Sequence, residues 1–222
     1  MYTKQLYVFE DNKPIKATIR NYNSEDFQDL IKIQRESFPL PFPEELLWNT
    51  EQLSNHVQLF QAGALCIEVD GVVCGSMTGM LVNFDPENPI HTWEEVTNSG
   101  YINNHDPNGN SLYVVDICIS PSYRKLGLGK LLMQSMYDVV IHHQLDRLVG
   151  GGRLPGYHKH ASSLTIEEYV KRVFTGEVYD PVITFLIRCG RTPVAVAPNY
   201  LEDEESCHYG LLMEWKNPFH LI

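Results

Sequence analysis

The chain has 222 residues, of which 43% are hydrophobic and 20% are charged, so it is long enough to bury a sizeable core in one domain. Its formal net charge of −11 argues against nucleic-acid binding and mildly favours a cationic acceptor. No apolar run approaches membrane-spanning length and the first residues lack a secretory signal, so we expect a cytoplasmic protein that binds neither membrane nor nucleic acid.

The five cysteines are scattered, odd in number and without a C-x-x-C pair. This usage is typical of free thiols in a reducing compartment and argues against a disulfide framework or a zinc site. The pair His142-His143 and the histidines at 158 and 160 lack ligand partners at a recognisable spacing. A metal hydrolase is therefore poorly supported, and we expect no metal.

The first part of the chain is predicted to form two strands followed by two helices. Strands are expected at 2–10 and 16–22. Ser24 has the character of a helix N-cap, and the proline-rich run after residue 38 ends that helix. A second helix is predicted at about 44–60, and the apolar stripes of both helices indicate packing on the core.

A hairpin and a long loop are predicted next. Strands at 64–70 and 72–82 are joined by Asp70-Gly71, a dipeptide typical of tight turns. The segment 83–110 is polar and rich in turn residues, which predicts a loop insertion over the domain, held down by Trp93.

The stretch from Ser111 to Met133 reads as a strand, a tight turn and the start of a helix. Residues 112–119 are rich in β-branched and apolar residues and end at Ser120-Pro121, which is a strand signature. Apolar residues recur at helical spacing from Leu128 onward, so the helix begins in the preceding turn.

This turn is predicted to bind a phosphate group. A helix N-terminus offers unpaired backbone amides and the positive end of the helix dipole. Gly127 and Gly129 let a pyrophosphate approach the backbone, and three cations add positive charge there. The cations are Arg124, Lys125 and Lys130.

The rest of the chain predicts one further strand, two helical segments and two closing strands. The strand at 147–153 contains three consecutive glycines, which are costly unless a backbone or a ligand must come very close. A helical segment at 161–178 precedes a helix that Asp180-Pro181 begins, with Asp180 as N-cap. Strands at 192–197 and 208–216 close the chain.

Three known phosphate-binding patterns can be compared with the turn. A P-loop needs a hydroxyl after its lysine, but Lys130 is followed by Leu131. A dinucleotide fingerprint needs a third small residue, and Leu132 takes its place. The pattern [Q/R]-x-x-G-x-[G/A] after a strand fits residues 124–129 position by position, and it resembles the coenzyme A pyrophosphate loop of the GNAT acyltransferase superfamily.

The order of predicted elements matches the same superfamily, and the resemblance covers nearly the whole chain. It implies one α/β (α+β) domain, residues 1–222, with the loop insertion 83–110 and the extra helical segment 161–178. It also implies a central mixed, mostly antiparallel sheet flanked by helices. The family's fourth and fifth strands, here 112–119 and 147–153, splay apart to hold the thioester.

Three further stretches suggest a narrower likeness. They begin at Trp93, Gly151 and Tyr179, and they resemble the acetyltransferase-like module joined, in some bacterial proteins, to a nitrilase-type carbon–nitrogen hydrolase domain. The Glu-Lys-Cys machinery of such a hydrolase is not in this sequence, so we expect a stand-alone version of the module.

The resemblance implies an acetyl-CoA-dependent N-acyltransferase that moves an acetyl group directly to a primary amine of a small molecule, a protein or a peptide. Backbone groups of Ile117, Cys118 and Ile119 would pair with pantetheine. The turn would hold the pyrophosphate through Arg124, Lys125, Leu126, Gly127, Leu128, Gly129 and Lys130.

Asp116 is the first candidate for the general base, since an acidic residue is often found at this place in the superfamily; alternatively, it bonds a neighbouring loop. Strand alternation puts Asp116 on the face of Cys118, which we interpret as a lining thiol because the family transfers acyl groups directly. Tyr157 and His158, beyond the splayed strand, are candidates for shuttling protons.

One position departs from the family pattern. Many members carry a tyrosine on the penultimate helix as general acid, and Leu186 stands in its place. Either Tyr157, Tyr179 or Tyr209 takes the role, or the thiolate leaves unaided, or catalysis has been lost. The last alternative predicts a CoA-binding sensor or interaction module without turnover. The acceptor, the acyl chain and the oligomeric state, monomer or homodimer, stay open.

Overall fold

The computed structural model describes residues 1–220, and it contains one eight-stranded sheet. The strands lie in the order β1-β2-β3-β4-β5-β6-β8-β7, and every neighbouring pair is antiparallel except β5 and β6, which are parallel. Their bounds are β1 Thr3–Glu10, β2 Lys13–Asn21, β3 Ala64–Val69, β4 Val72–Val82, β5 Ser111–Ile119, β6 Arg147–Arg153, β7 Thr192–Ala197 and β8 Gly210–Lys216. The mixed, mostly antiparallel sheet predicted from the sequence is confirmed.

Helices cover both faces of the sheet. They are α1 Phe27–Ser37, α2 Thr50–Phe60, α3 Trp93–Thr97, α4 Leu128–His142, α5 Ile166–Thr175 and α6 Pro181–Arg188. One core cluster joins the sheet to α4, α5 and α6, and a second cluster joins it to α1, α2 and α3. Within residues 1–220, no helix is long and apolar enough to cross a membrane.

The sheet divides between β5 and β6. These strands pair only at Ser111–Arg147, Leu112–Leu148 and Tyr113–Val149. Beyond that point β5 stays with β4 as far as Ile119, whereas β6 pairs along its whole length with β8. The predicted splay is therefore present, and it leaves two half-sheets joined over three residue pairs.

A bulge in β5 lies at the point of separation. Thr78 of β4 pairs with Asp116 and Gly79 pairs with Val114, so Val115 has no partner across the ladder. Such a bulge bends the strand and raises its twist. Beyond the bulge, Asp116 lies on the same face as Cys118, as alternation predicted.

Several predicted boundaries differ from the structure. The helix expected at 44–60 is a 3₁₀ turn at Glu44–Leu46 followed by α2, whose N-cap is Asn49. The residue that caps the chain's entry into α1 is Asn23 instead of Ser24: its side chain accepts from the amide of Glu25 at 2.8 Å and caps the 3₁₀ turn Ser24–Asp26, which leads directly into α1. The loop insertion 83–110 contains the short helix α3, capped by Thr92.

The last two predicted strands need one correction. The strand expected at 208–216 begins at Gly210, because Cys207 and His208 take left-handed φ values of 48° and 64° in the turn before it. The predicted N-cap of α6 is as expected: the Asp180 carboxylate accepts from the amides of Val182 and Ile183, each at 3.0 Å.

Candidate active site

A cavity of about 850 Å³ opens where β5 and β6 separate. One wall is the outer part of β5 with the turn that follows it, and the opposite wall is the end of β6 with α6. Residues of α1 and the following loop cover a third side, and Trp93 and Tyr200 reach in from the insertion and from the loop after β7. The lining includes Gln34, Ser37, Phe38, Phe42, Trp48, residues 114–119, 123–125, 127–130 and 151–153, Tyr179, Phe185, Leu186 and Arg191.

The turn between β5 and α4 presents a row of free backbone donors to this cavity. Within residues 1–220, no protein oxygen accepts a hydrogen bond from the amides of residues 125–129. Lys125 and Gly127 take left-handed φ values of 82° and 75°, and a Cβ on Gly127 would meet nothing within 4 Å. Consecutive free amides at a helix N-terminus form an anion site.

The predicted loop residues nearly all line the cavity. Six of the seven residues at 124–130 do so, and Leu126 instead packs against the core. Ile117, Cys118 and Ile119 also line it, along an edge of β5 that has no neighbouring strand beyond Tyr113. Such an edge can take an extended ligand as an added strand.

Asp116 lies on the cavity wall at the bulge, half-buried. Burial raises the pKa of its carboxyl to about 7, and hydrogen bonds with the Cys118 thiol and the Ile117 amide lower it only in part. No ion pair with Asp116 exists within the described residues. Its partners are in β5 itself, so the alternative of a bond to a neighbouring loop finds no support. A carboxyl group that titrates near pH 7 is suited to accept a proton.

Cys118 is buried beside Asp116, and its Sγ lies 3.6 Å from the Ser76 hydroxyl. Burial, together with the neighbouring carboxylate, raises the pKa of this thiol well above its ordinary value. A thiol that stays protonated is a poor nucleophile. The interpretation of Cys118 as a lining residue therefore agrees with its surroundings.

Tyr157 and His158 do not reach the cavity, which corrects their predicted placement at the cleft. The Tyr157 hydroxyl donates to the Leu164 carbonyl at 3.2 Å, and His158 is exposed, with Nδ1 3.1 Å from the Glu205 carbonyl. After β6 the chain contacts the turn before β8, where the Leu154 amide donates to the Ser206 hydroxyl at 2.9 Å.

Leu186 lines the cavity and offers no proton. Of the three tyrosines considered as its replacement, Tyr179 lines the cavity, whereas Tyr157 and Tyr209 face a separate groove beside α5. Tyr179 is 68% exposed. Of these three tyrosines, Tyr179 is therefore the one that remains a candidate for the general acid.

The three glycines of β6 make room for side chains. A Cβ on Gly151 would lie 2.2 Å from the ring of Tyr200, and one on Gly152 would lie 2.7 Å from Leu186. The close approach predicted from the three glycines is confirmed, although the sequence could not identify the approaching groups. These groups are the Tyr200 ring and the side chains of Leu186 and Ile183 in α6.

Tyr200 is a functional candidate that the sequence did not reveal. Its hydroxyl accepts from the Gly151 amide at 3.1 Å and lies 2.7 Å from the Tyr113 hydroxyl. Tyr113 in turn lies 2.9 Å from Nε2 of His91, whose Nδ1 donates to the Pro89 carbonyl. These contacts connect the cavity wall to the insertion.

Trp93 ties the insertion to the bulge, as its predicted anchoring role requires. Its indole N–H donates to the Val115 carbonyl at 2.9 Å, and its amide donates to the Tyr200 carbonyl at 2.8 Å. The insertion therefore forms part of the cavity wall.

Charge on the cavity wall opposes the charge of the whole chain. The net charge is −11, yet the lining holds six cations and one carboxylate, that of Asp116. A wall of this kind attracts anionic ligands. The cations are Arg124, Lys125, Lys130, Arg153, Arg188 and Arg191. No group of three His, Cys, Asp or Glu side chains able to hold a metal ion occurs between residues 1 and 220.

Comparison with known proteins identifies relatives. The model of the acetyltransferase (GNAT) family matches residues 27–151. The chain is 52% identical over 217 residues to the uncharacterized N-acetyltransferase YkwB of Bacillus subtilis, covering 98% of this chain and 96% of that protein. Among solved structures, the GphF GNAT-like decarboxylase in complex with isobutyryl-CoA has a TM-score of 0.75 at 20% identity, over 90% of this chain and 98% of that one.

A second relative is longer than this chain. The probable hydrolase YhcX of Bacillus subtilis is 37% identical over 207 residues, which is 93% of this chain and 40% of that protein. The chain thus spans about two fifths of the length of YhcX. This match is in keeping with the predicted likeness to a module joined to a hydrolase domain, and the nitrilase type stays a prediction.

Proposed function

The chain belongs to the acetyltransferase (GNAT) family, and from this premise we propose that it transfers an acetyl group directly from acetyl-CoA to a primary amine. The observation that carries the proposal is the row of free amides at 125–129, placed at one end of a cavity that also contains Asp116. The diphosphate and the acyl group of one extended cofactor can therefore be held at two different places along β5.

The residues of the turn are proposed to bind the diphosphate of coenzyme A. Its oxygens accept from the amides of residues 125–129, while Arg124, Lys125 and Lys130 supply positive charge. The open edge of β5 at 117–119 pairs with the amides of the pantetheine arm. The thioester then lies in the gap between the half-sheets, near the bulge.

Asp116 is proposed as the general base. The amine nitrogen attacks the thioester carbon, the N–C bond forms, and the C–S bond breaks with its electron pair passing to sulfur. The proton lost by the amine passes to the Asp116 carboxylate, directly or through one water. Holding both reactants in the gap supplies the remaining rate gain by orientation.

We assign protonation of the departing thiolate to Tyr179. Leu186 has no proton to give, and Tyr179 is the candidate tyrosine on the cavity wall. The acceptor is a primary amine, of a small molecule or of a protein or peptide, and Leu186 also motivates the alternative of a CoA-binding module without turnover.

Thiol release from acetyl-CoA tests the proposal. Wild-type protein is assayed with polyamines, amino acids, aminoglycosides and peptides, while coenzyme A is titrated by calorimetry. Saturable turnover with one class of amine is expected. Tight binding of coenzyme A without turnover across the panel would establish the sensor instead, and the absence of binding would overturn both functions.

A further inference from the structure

Arg191 is an arginine in the interior of the protein. It lies between α6 and β7, is 4% exposed, and lines the cavity. Its Nη2 donates to the carbonyl of Gly150 at 2.9 Å and to that of Met213. These carbonyls belong to β6 and β8, so the guanidinium lies at the inner end of the gap, beside the last paired residues of β5 and β6.

Most of the donors of this guanidinium are unused. Its Nε is buried without a hydrogen-bond partner, and Nη1 makes no hydrogen bond to any residue between 1 and 220. Nε is inaccessible, whereas Nη1 keeps some accessible surface, and because Arg191 lines the cavity we take Nη1 as the donor available to a ligand there. An unpaired donor on a charged group is costly inside a protein unless a partner arrives.

No anion of the described chain neutralises Arg191. The titratable groups that face it are the phenols of Tyr113, Tyr137 and Tyr200 and the thiol of Cys189. Burial raises the pKa of Tyr200 to about 12 and that of Cys189 to about 11, so these groups are neutral near pH 7. The pKa values of Tyr113 and Tyr137 are raised further by burial.

Arg153, on the same cavity wall, shows what a neutralised arginine looks like in this protein. Its Nε and Nη2 donate to the two carboxylate oxygens of Asp203, both at 2.7 Å, and Nη2 also donates to Glu205 at 3.0 Å. Its guanidinium lies over the ring of Phe42, 4.8 Å from the centroid. Arg191 has neither a carboxylate nor an aromatic face in the described structure.

We propose that Arg191 binds a carboxylate of the substrate at the inner end of the cavity, so that this transferase selects a carboxylate-bearing acyl group or a carboxylate-bearing amine. The inference rests on the proposed transferase function and names a substrate class for it. The anion is not the diphosphate of the cofactor, because the turn at 125–129 lies beyond Ile119, roughly 16 Å along β5 from the level of Val114 at ~3.3 Å per residue. The group that reaches the inner end is therefore the acyl chain or the acceptor.

Arg191 and Asp116 both line the cavity without pairing with each other. An amino acid acceptor would present its carboxylate to Arg191 and its amine to Asp116. A dicarboxylic half-thioester would instead place its distal carboxylate on Arg191. Both sources offer the same chemistry, a carboxylate oxygen accepting from a guanidinium.

The test separates the two sources. In one arm, malonyl-CoA, succinyl-CoA, acetyl-CoA and free coenzyme A are titrated by calorimetry. In the other arm, turnover with acetyl-CoA is compared for matched amines, L-ornithine against putrescine and L-phenylalanine against phenethylamine. We expect wild type to favour the carboxylate-bearing member at least tenfold, in Kd or in kcat/KM, in one arm, and that arm identifies the source.

Three variants accompany wild type. Arg191→Gln keeps an amide donor for the strand carbonyls but removes the charge, and it is expected to lose the preference while its Kd for free coenzyme A changes less than twofold. Arg191→Lys keeps the charge and is expected to retain part of the preference. Arg153→Gln removes the neutralised arginine of the same wall and is expected to keep the preference.

Several results would overturn the inference. If wild type shows no carboxylate preference in either arm, that result alone overturns the inference, even if the variants do not fold. A full preference in Arg191→Gln does so too, and so does an equal loss of kcat for both members of a pair, which would show that the cation acts on the transfer step. Intact turnover without the preference leaves the transferase function standing, whereas failure of wild type to bind coenzyme A overturns that function.

Discussion

The two ends of the cavity are built in different ways. The outer end is seven consecutive residues, 124–130, and its donors are backbone amides at a helix N-terminus. The inner end consists of the side chains of Asp116, Arg191 and Tyr200, which come from β5, the turn between α6 and β7, and the loop after β7. In the proposed function, the outer end recognises the diphosphate that every acyl-CoA shares, and the inner end carries the groups proposed to act on the substrate.

Replacing Asp116 by asparagine tests the inner end most severely. We expect kcat to fall by about 10²–10⁴-fold, the usual contribution of a general base, while the Kd of coenzyme A is unchanged. Because the pKa of Asp116 is about 7, wild-type kcat is expected to rise with pH through about 7 and then level off. This rise of kcat with pH is expected to disappear in Asp116→Asn.

The matched control is His158→Ala, outside the cavity, which is expected to keep both kcat and the pH profile. Stability gives an independent readout. The folded pKa of Asp116 is raised above the unfolded value of about 3.9, so its neutral form stabilises the fold at low pH and this contribution is lost between about pH 4 and 7. Asp116→Asn should thus gain thermal stability relative to wild type above pH 7 and not at pH 4. Retained turnover in Asp116→Asn would remove Asp116 from the mechanism.

The outer end is tested by Gly127→Glu. The left-handed φ of 75° strains any side chain there, and a carboxylate beside the free amides repels the diphosphate. We expect the Kd of coenzyme A to rise on the order of 100-fold, about 2.8 kcal/mol, in a calorimetric titration.

Gly176→Glu is the matched control for this variant. Gly176 caps α5 with a φ of 78°, and a Cβ there would also meet nothing within 4 Å. Both variants should lose similar stability from backbone strain, but Gly176→Glu should bind coenzyme A as wild type does. Equal affinities in Gly127→Glu and wild type would place the diphosphate elsewhere.

A smaller effect is expected from Tyr200→Phe at the inner end. The change removes the hydrogen bonds of the phenol with Gly151 and Tyr113 and leaves the half-buried Gly151 amide without this acceptor. We expect a loss of about 1–3 kcal/mol in the free energy of unfolding, or about 2–4 °C in Tm per kcal/mol for a chain of this size.

Tyr209→Phe is the control for that measurement, because the Tyr209 hydroxyl has no hydrogen-bond partner among the described residues. Its Tm should stay within a degree of wild type. If Tyr200→Phe melts at the same temperature as Tyr209→Phe, the contacts of Tyr200 do not support the inner wall.

The comparison also explains how far the sequence could predict the site. The outer end depends on neighbours in the chain, so strand, turn glycines and helix start were all visible in 111–133. The position of Arg191 depends instead on the pairing of β6 with β8, which brings the carbonyls of Gly150 and Met213 together. No local pattern encodes that meeting. The position of Tyr157 and His158 outside the cavity likewise depends on contacts between distant segments, such as that of Leu154 with Ser206.

Two helix starts are encoded locally in the sequence. Asn49 with Gln52, and Thr92 with Glu95, form reciprocal capping boxes at the starts of α2 and α3. The first places a helix start inside the segment predicted as one helix, and the second places a helix in the segment predicted as a loop. Capping patterns were thus more informative here than polarity.

The division of the sheet affects the stability of the protein when no cofactor is bound. Only three residue pairs hold β5 to β6, so the two facing edges are the place where backbone amides should exchange hydrogen first and where the domain should open to proteases. A ligand that lies along β5 fills this gap and binds the folded state alone. At a concentration 100 times its Kd, such a ligand adds about 2.7 kcal/mol to the free energy of unfolding. The supply of acyl-CoA in the cell would then set the lifetime of the enzyme as well as its rate.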